Sequence, residues 1–350
     1  MSAAMLAGLA LPVSAQETPA PTAASANASA SGAAAPAASG APAAASGSAS
    51  GRRGGAPRGA RNPAPPPVLI PRDSEPFTPA DFKGAKPDLV SLVVAGDSTA
   101  TRGDPAHRGW AALLVDYFDQ SKINLVNPSI GGRSFRSFYH EGRWDQLVAG
   151  LKPGDIVMIQ FGHNDGGDIN NPNGRPDLPG LGEETQTVTR ADGTTEVVHT
   201  LGWYLRKYIE DVKAKGATPI VLGDTPYNRW ANGSFVKKSG DFSNLTKQVA
   251  DNEKVLFLDL TAIINDHYGP MTQEQVRPMF NMDGLHTTTS GAIVGAEMFV
   301  AGIKTADLKP LVAALNDKGK AIPAYKPSEE KPAAAPAPPE AKSAPSSTTK

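Results

Sequence analysis

Leu89-Val90-Ser91-Leu92-Val93-Val94-Ala95-Gly96-Asp97-Ser98-Thr99 is the stretch on which the fold turns. Its first seven residues form a near-continuous apolar run, the pattern of a strand covered on both faces. Gly96 closes the run, and Ser98 follows two residues later. Outward from here the pattern repeats. Residues 123–126, 156–160, 218–222 and 255–260 predict further strands, while residues 110–118, 144–151, 201–215 and 288–301 carry helical spacing. In the first helical segment Trp110, Leu113, Leu114, Tyr117 and Phe118 fall on one stripe, as an amphipathic helix requires. Strands alternating with helices predict an α/β fold, a three-layer, doubly wound, five-stranded parallel sheet. Such sheets gather function at the carboxyl ends of their strands.

The flanks have a different composition. Residues 16–85 are rich in Ala, Pro, Ser and Gly, and residues 319–350 in Ala, Pro and Lys. Such segments bury too little apolar surface to offset their ordering entropy, so both are expected to be disordered, with the folded domain over 86–318. Residues 1–15 carry Met5, Leu6, Leu9 and Leu11 and end in Val13-Ser14-Ala15. That is the pattern of a signal peptide with a small-x-small cleavage site, so export to the periplasm or beyond is expected. The whole chain carries −1, but residues 16–67 carry +3 and residues 316–350 carry +2, which leaves −6 on the remainder. An acidic core does not favour nucleic acid as a partner. No apolar run after the first residues reaches the ~18 residues of a membrane span. The chain has no cysteine, so neither a disulfide nor a thiolate metal site can form. A monomer is expected.

Four short motifs fall at the expected strand ends. Gly96-Asp97-Ser98-Thr99 follows the first strand and presents a hydroxyl that a nearby base could activate. Gly131-Gly132-Arg133-Ser134 follows the second, where paired glycines can expose backbone N–H groups to an oxyanion. Gly162-His163-Asn164-Asp165 follows the third and offers the Asn164 amide to the same place. Asp283-Gly284-Leu285-His286 precedes the last helix, and a carboxylate three residues before a histidine can orient the imidazole within one turn. Each motif alone also describes an ordinary turn. Together they supply nucleophile, oxyanion donors, base and orienter.

At these residues the chain resembles the SGNH (GDSL-like) hydrolases, and more narrowly their rhamnogalacturonan acetylesterase branch. Gly131-Gly132-Arg133-Ser134-Phe135-Arg136-Ser137-Phe138 and Gly284-Leu285-His286-Thr287 carry the narrower likeness. The resemblance implies a flavodoxin-like sheet, no metal, no cofactor, and removal of acetyl groups from a pectin-type polysaccharide. It implies Ser98 as nucleophile, His286 as base and Asp283 as its orienter. The N–H groups of Ser98 and Gly132 and the Asn164 amide would form the oxyanion hole. Thr99 stands where the broader lipases have Leu, which argues against a lipid ester.

Arg102, His107, Arg108, Arg133, Arg136, His140 and Arg143 cluster after the first two strands. They are expected to give the acidic protein a basic cleft for a uronate-bearing substrate, with Arg133, Arg136 and His140 as candidate sugar contacts. An α/β-hydrolase is disfavoured because its nucleophile follows several strands, whereas Ser98 follows the first. His107, His140 and His163 match no zinc spacing. An esterase acting on other small acyl esters and a carbohydrate-binding protein without activity remain as alternatives.

Overall fold

In the computed structural model the described residues are Phe82 and residues 84–327, apart from Arg102, Pro105, Ala191 and residues 238–240. The expected export segment at 1–15 and most of both tails lie outside them. In chain order the strands are β1 (Ser91–Gly96), β2 (Asn124–Val126), β3 (Ile156–Gln160), a hairpin of β4 (Thr185–Thr189) and β5 (Thr195–His199), and β6 (Thr218–Leu222). A small hairpin of β7 (Trp230–Ala231) and β8 (Ser234–Phe235) follows, then β9 (Leu256–Leu258). The helices are α1 (Phe135–His140), α2 (Arg143–Gly150), α3 (Leu201–Ala214), α4 (Asp241–Asn252), α5 (Leu260–Tyr268), α6 (Gln273–Val276), α7 (Thr289–Thr305), α8 (Lys309–Ala313) and α9 (Asp317–Ala321).

Five strands form one parallel sheet in the order β2-β1-β3-β6-β9. Every residue of β1 and β3 is buried, and their period-two alternation divides them between two apolar layers. Leu92, Val94, Ile156 and Met158 pack with Trp110, Ile263, Phe299 and Ile303 on the α5/α7 side. Val93, Ala95, Val157 and Ile159 pack with Phe135, Trp144, Tyr204 and Tyr208 on the α1–α4 side. This double burial explains why the strands are apolar without a break. The chain winds in opposite directions from β1 and β3, so their carboxyl ends flank a crevice at the switch point, the flavodoxin-like arrangement.

Three local expectations need correction. Residues 110–116 form a 3-10 helix, not an α-helix, ending where Tyr117 N–H bonds to the Leu114 carbonyl. Its spacing still buries Trp110, Leu114 and Tyr117. The packed region also runs past residue 318: α9 follows, and Tyr325 donates to Asp266 Oδ2 at 2.6 Å and through its N–H to the Ala301 carbonyl. At the other end the Phe82 ring lies against Gly150 of α2, four residues before the expected boundary.

The insertion between β3 and α3 is tied down by Arg136. Its guanidinium is 1% exposed and makes a two-pronged ion pair with Glu196 of β5 at 2.8 and 3.0 Å. Its two Nη1 hydrogens go to the carbonyls of Ile169 and Pro176. Removing one partner of a buried pair leaves an uncompensated charge, worth about 3–5 kcal/mol. Glu196→Ala should therefore cost about that much in urea unfolding, and a loss no larger than that of an exposed pair would mean that water reaches Arg136.

Candidate active site

The Ser98 turn is built by short contacts. A side chain at position 96 would stand 3.0 Å from the Gln160 carbonyl and 3.3 Å from Ser129 Oγ, so glycine permits the close approach there. Asp97 is buried, and its Oδ1 accepts from Thr99 N–H at 2.8 Å and Thr99 Oγ at 2.9 Å. This local side-chain-to-backbone cap fixes the turn that projects Ser98.

The last motif builds a second turn in the same way. Asp283 Oδ1 accepts from the N–H groups of Leu285 and His286 at 2.9 and 3.0 Å. Its Oδ2 lies 2.6 Å from His286 Nδ1, and His286 Nε2 lies 2.8 Å from Ser98 Oγ. Nδ1–H donating to the carboxylate leaves Nε2 as the acceptor facing the serine. Burial pushes the Asp283 carboxyl up, but the bonds from the His286 ring and the two N–H groups outweigh it and hold the acid below its ordinary value. The loop is bolted in place by Thr287 Oγ donating to the Arg108 carbonyl at 2.6 Å and Arg108 N–H to the Thr287 carbonyl at 3.0 Å.

The other candidate oxyanion donors lie on the loops after β2 and β3. Gly131 lies beside Ser98, where an added Cβ would sit 3.7 Å from the serine Cβ. Gly132 has φ +76°, a left-handed conformation natural to glycine, and the Arg175 guanidinium packs where a Cβ would be. Asn164 Nδ2 donates to the Arg133 carbonyl at 3.1 Å. That bond uses one of the two amide hydrogens. Ile130 N–H, bonded to the Gly96 carbonyl at 3.1 Å, holds the second loop against the first.

Behind Asn164 lies an acid pair that sequence reading did not reveal. Asp165 Oδ1 accepts from Phe135 N–H at 2.8 Å, and Asp177 Oδ1 from Arg136 N–H at 3.2 Å. Their Oδ2 atoms are buried and meet no N–H or hydroxyl donor. One proton between the two carboxyls satisfies both. Burial and mutual repulsion push Asp177 well above the carboxylate range, and burial pushes Asp165 up to about 7.

The expected basic cleft is largely spent internally. Arg136 is sealed in its ion pair with Glu196, so it cannot meet a sugar. His140 Nε2 lies 3.0 Å from Tyr204 Oη and 3.1 Å from Glu196 Oε1, and burial lowers its pKa. Arg133 bonds Glu141 at 3.0 Å and the Gly131 carbonyl at 2.9 Å while staying partly exposed. Arg143 also pairs with Glu141. Arg102 lies outside the described residues. His107 lies edge-on to His286 at 6.0 Å, and His163 Nε2 is 3.3 Å from Thr225 Oγ.

Residues 94–292 match the sequence profile of the GDSL-like lipase/acylhydrolase family, a span from β1 into α7 that includes all four motifs. The chain belongs to this family. It is an ester hydrolase. It is similar to the rhamnogalacturonan acetylesterase of Emericella nidulans, 33% identical over 213 residues, which are 61% of this chain and 84% of the relative. The probable rhamnogalacturonan acetylesterase YesY of Bacillus subtilis is 29% identical over 220 residues, covering 61% of this chain and 92% of YesY. Among solved structures, Bacillus subtilis YxiM superposes with a TM-score of 0.50 at 22% identity, over 63% of this acylhydrolase but only 58% of YxiM, which shows a shared fold.

The acid pair gives the acylhydrolase a pH signature. Both carboxyls hold a proton more tightly folded than unfolded, so the native state is the more protonated and the pair's contribution is lost as pH rises. For Asp165 the window runs from the ordinary carboxylate value of about 4 to about 7, and the raised Asp177 adds to the loss in the same direction. Asp177→Asn keeps a donor toward Asp165 without a titrating proton, so its Tm should fall less than wild type between those values. Parallel curves would show that the pair shares no proton.

Proposed function

We propose that this esterase removes O-acetyl groups from a pectin-type polysaccharide through an acyl-enzyme on Ser98. The observation that carries the chemistry is the unbroken chain from Ser98 Oγ through His286 to Asp283. Ser98 Oγ attacks the acetyl carbonyl while its proton passes to His286 Nε2. The tetrahedral oxyanion is taken by the N–H groups of Ser98 and Gly132 and by the Asn164 amide, and Asp283 stabilises the imidazolium. Collapse breaks the bond to the sugar oxygen, which leaves as a hydroxyl with the proton from His286. Water, deprotonated by His286, then releases acetate and restores Ser98.

The sugar part of this reading draws on the two acetylesterase relatives. The apolar stretch ending at Val13-Ser14-Ala15 supports action outside the cytoplasm, where polymeric esters are met.

Ser98→Ala and His286→Ala should each lower kcat on an acetylated pectic oligosaccharide by about 10⁴–10⁶, and both together by little more, because they act as one unit. Asp283→Asn should cost less. Full acetate release by Ser98→Ala, measured on protein with an unchanged unfolding curve, would rule out the mechanism. Asn164→Ala should lower kcat by about 10²–10³ with KM nearly constant, as loss of one oxyanion donor does. A change in KM alone would make Asn164 a substrate contact.

A further inference from the structure

With Arg136, Arg143 and His140 committed inside the protein, a uronate-bearing chain needs its countercharge elsewhere. The segment after β6 supplies one. Tyr227 meets the His163 ring edge-on, with centroids 5.5 Å apart, and the Arg229 guanidinium lies 4.3 Å above the Tyr227 ring. Arg229 is exposed, and no carboxylate among the described residues lies within 4.0 Å of it. The segment also touches the catalytic loop directly: Asn228 N–H donates to the Gly284 carbonyl at 2.7 Å, between Asp283 and His286.

This support is stiff. The β7–β8 hairpin closes through Asn232 (φ 51°) and Gly233 (φ 77°), a left-handed Asn-Gly pair suited to a two-residue turn. Val236 N–H bonds to the Arg229 carbonyl at 2.8 Å, and Trp230 Nε1 to Asn228 Oδ1 at 2.7 Å. A guanidinium held against an aromatic face keeps its N–H fork in plane and free at the edge, where it can take a carboxylate with two parallel bonds.

We propose that Arg229, seated on Tyr227, is a specificity-determining residue that binds a uronate carboxylate of the sugar chain beside the acetyl group being removed. This rests on the pectin-type reading of the substrate above. It moves the acid-reading function from the arginines after β2 to the wall beside Asp283.

The test compares an acetylated galacturonate-containing oligosaccharide with the same oligosaccharide after carboxyl reduction, and p-nitrophenyl acetate measures the chemistry alone. Wild type should favour the acidic form in kcat/KM, and added salt should shrink that preference. Arg229→Gln should lower the acidic-to-neutral ratio about tenfold, mainly through KM, and make it nearly indifferent to salt. Arg229→Lys, with charge but no fork, should fall between. A wild-type enzyme that prefers the acidic form while Arg229→Gln keeps the same ratio would overturn the assignment and leave the substrate reading standing. A wild-type enzyme that cleaves p-nitrophenyl acetate but neither oligosaccharide would overturn both.

Discussion

Everything in this acylhydrolase depends on β1 being buried on both faces next to β3. Because Val93 and Ala95 serve one apolar layer and Leu92 and Val94 the other, the strand can neither slip by one residue nor open to water. Its end is therefore fixed, and with it the height at which the chain turns at Gly96. The winding reverses at this point of the sheet, so the loops after β1 and β3 part and leave the crevice that Ser98 enters. The loops after β2 and before α7 close on that crevice through backbone bonds to the Gly96 and Arg108 segments. The geometry of the proposed Ser98–His286–Asp283 relay is thus a consequence of where one strand stops.

The sequence displayed the local parts of this design and concealed the distant ones. The strands were legible because double burial leaves a continuous apolar run. The Asp283–His286 turn was legible because both partners sit within four residues. The arginines were misread for the opposite reason. Arg136 sits in a motif at the rim, yet its partner Glu196 is sixty residues away on an inserted hairpin, and nothing near position 136 announces it. The Asp165–Asp177 pair was hidden likewise, because nothing in the sequence around either acid announces the other. The boundary near 318 was misplaced because Ile322 and Tyr325 dock on the core, and a few anchors are invisible in an average over Ala, Pro and Lys.

Burial also changes what the charge count means. Formally the middle of the chain is acidic, but Asp165, Asp177 and Asp224 are all pushed upward by burial, with neighbouring acids adding to the effect at Asp177 and Asp224. Carboxyls whose protons are held more tightly by burial carry less negative charge than free ones at the same pH, so the protein is less negative than its composition states. An anionic polymer then meets a weaker repulsion, and single cations such as Arg229 and Arg133 carry more weight in the local field.

The central claim is that His286 makes Ser98 uniquely nucleophilic, and active-site labelling tests it most directly. Folded protein treated with a fluorophosphonate and mapped by peptide mass spectrometry should carry one adduct, on Ser98. Urea-unfolded protein, in which the relay is broken, should carry none. An adduct on a different serine, or no faster labelling of folded than of unfolded protein, would contradict the account.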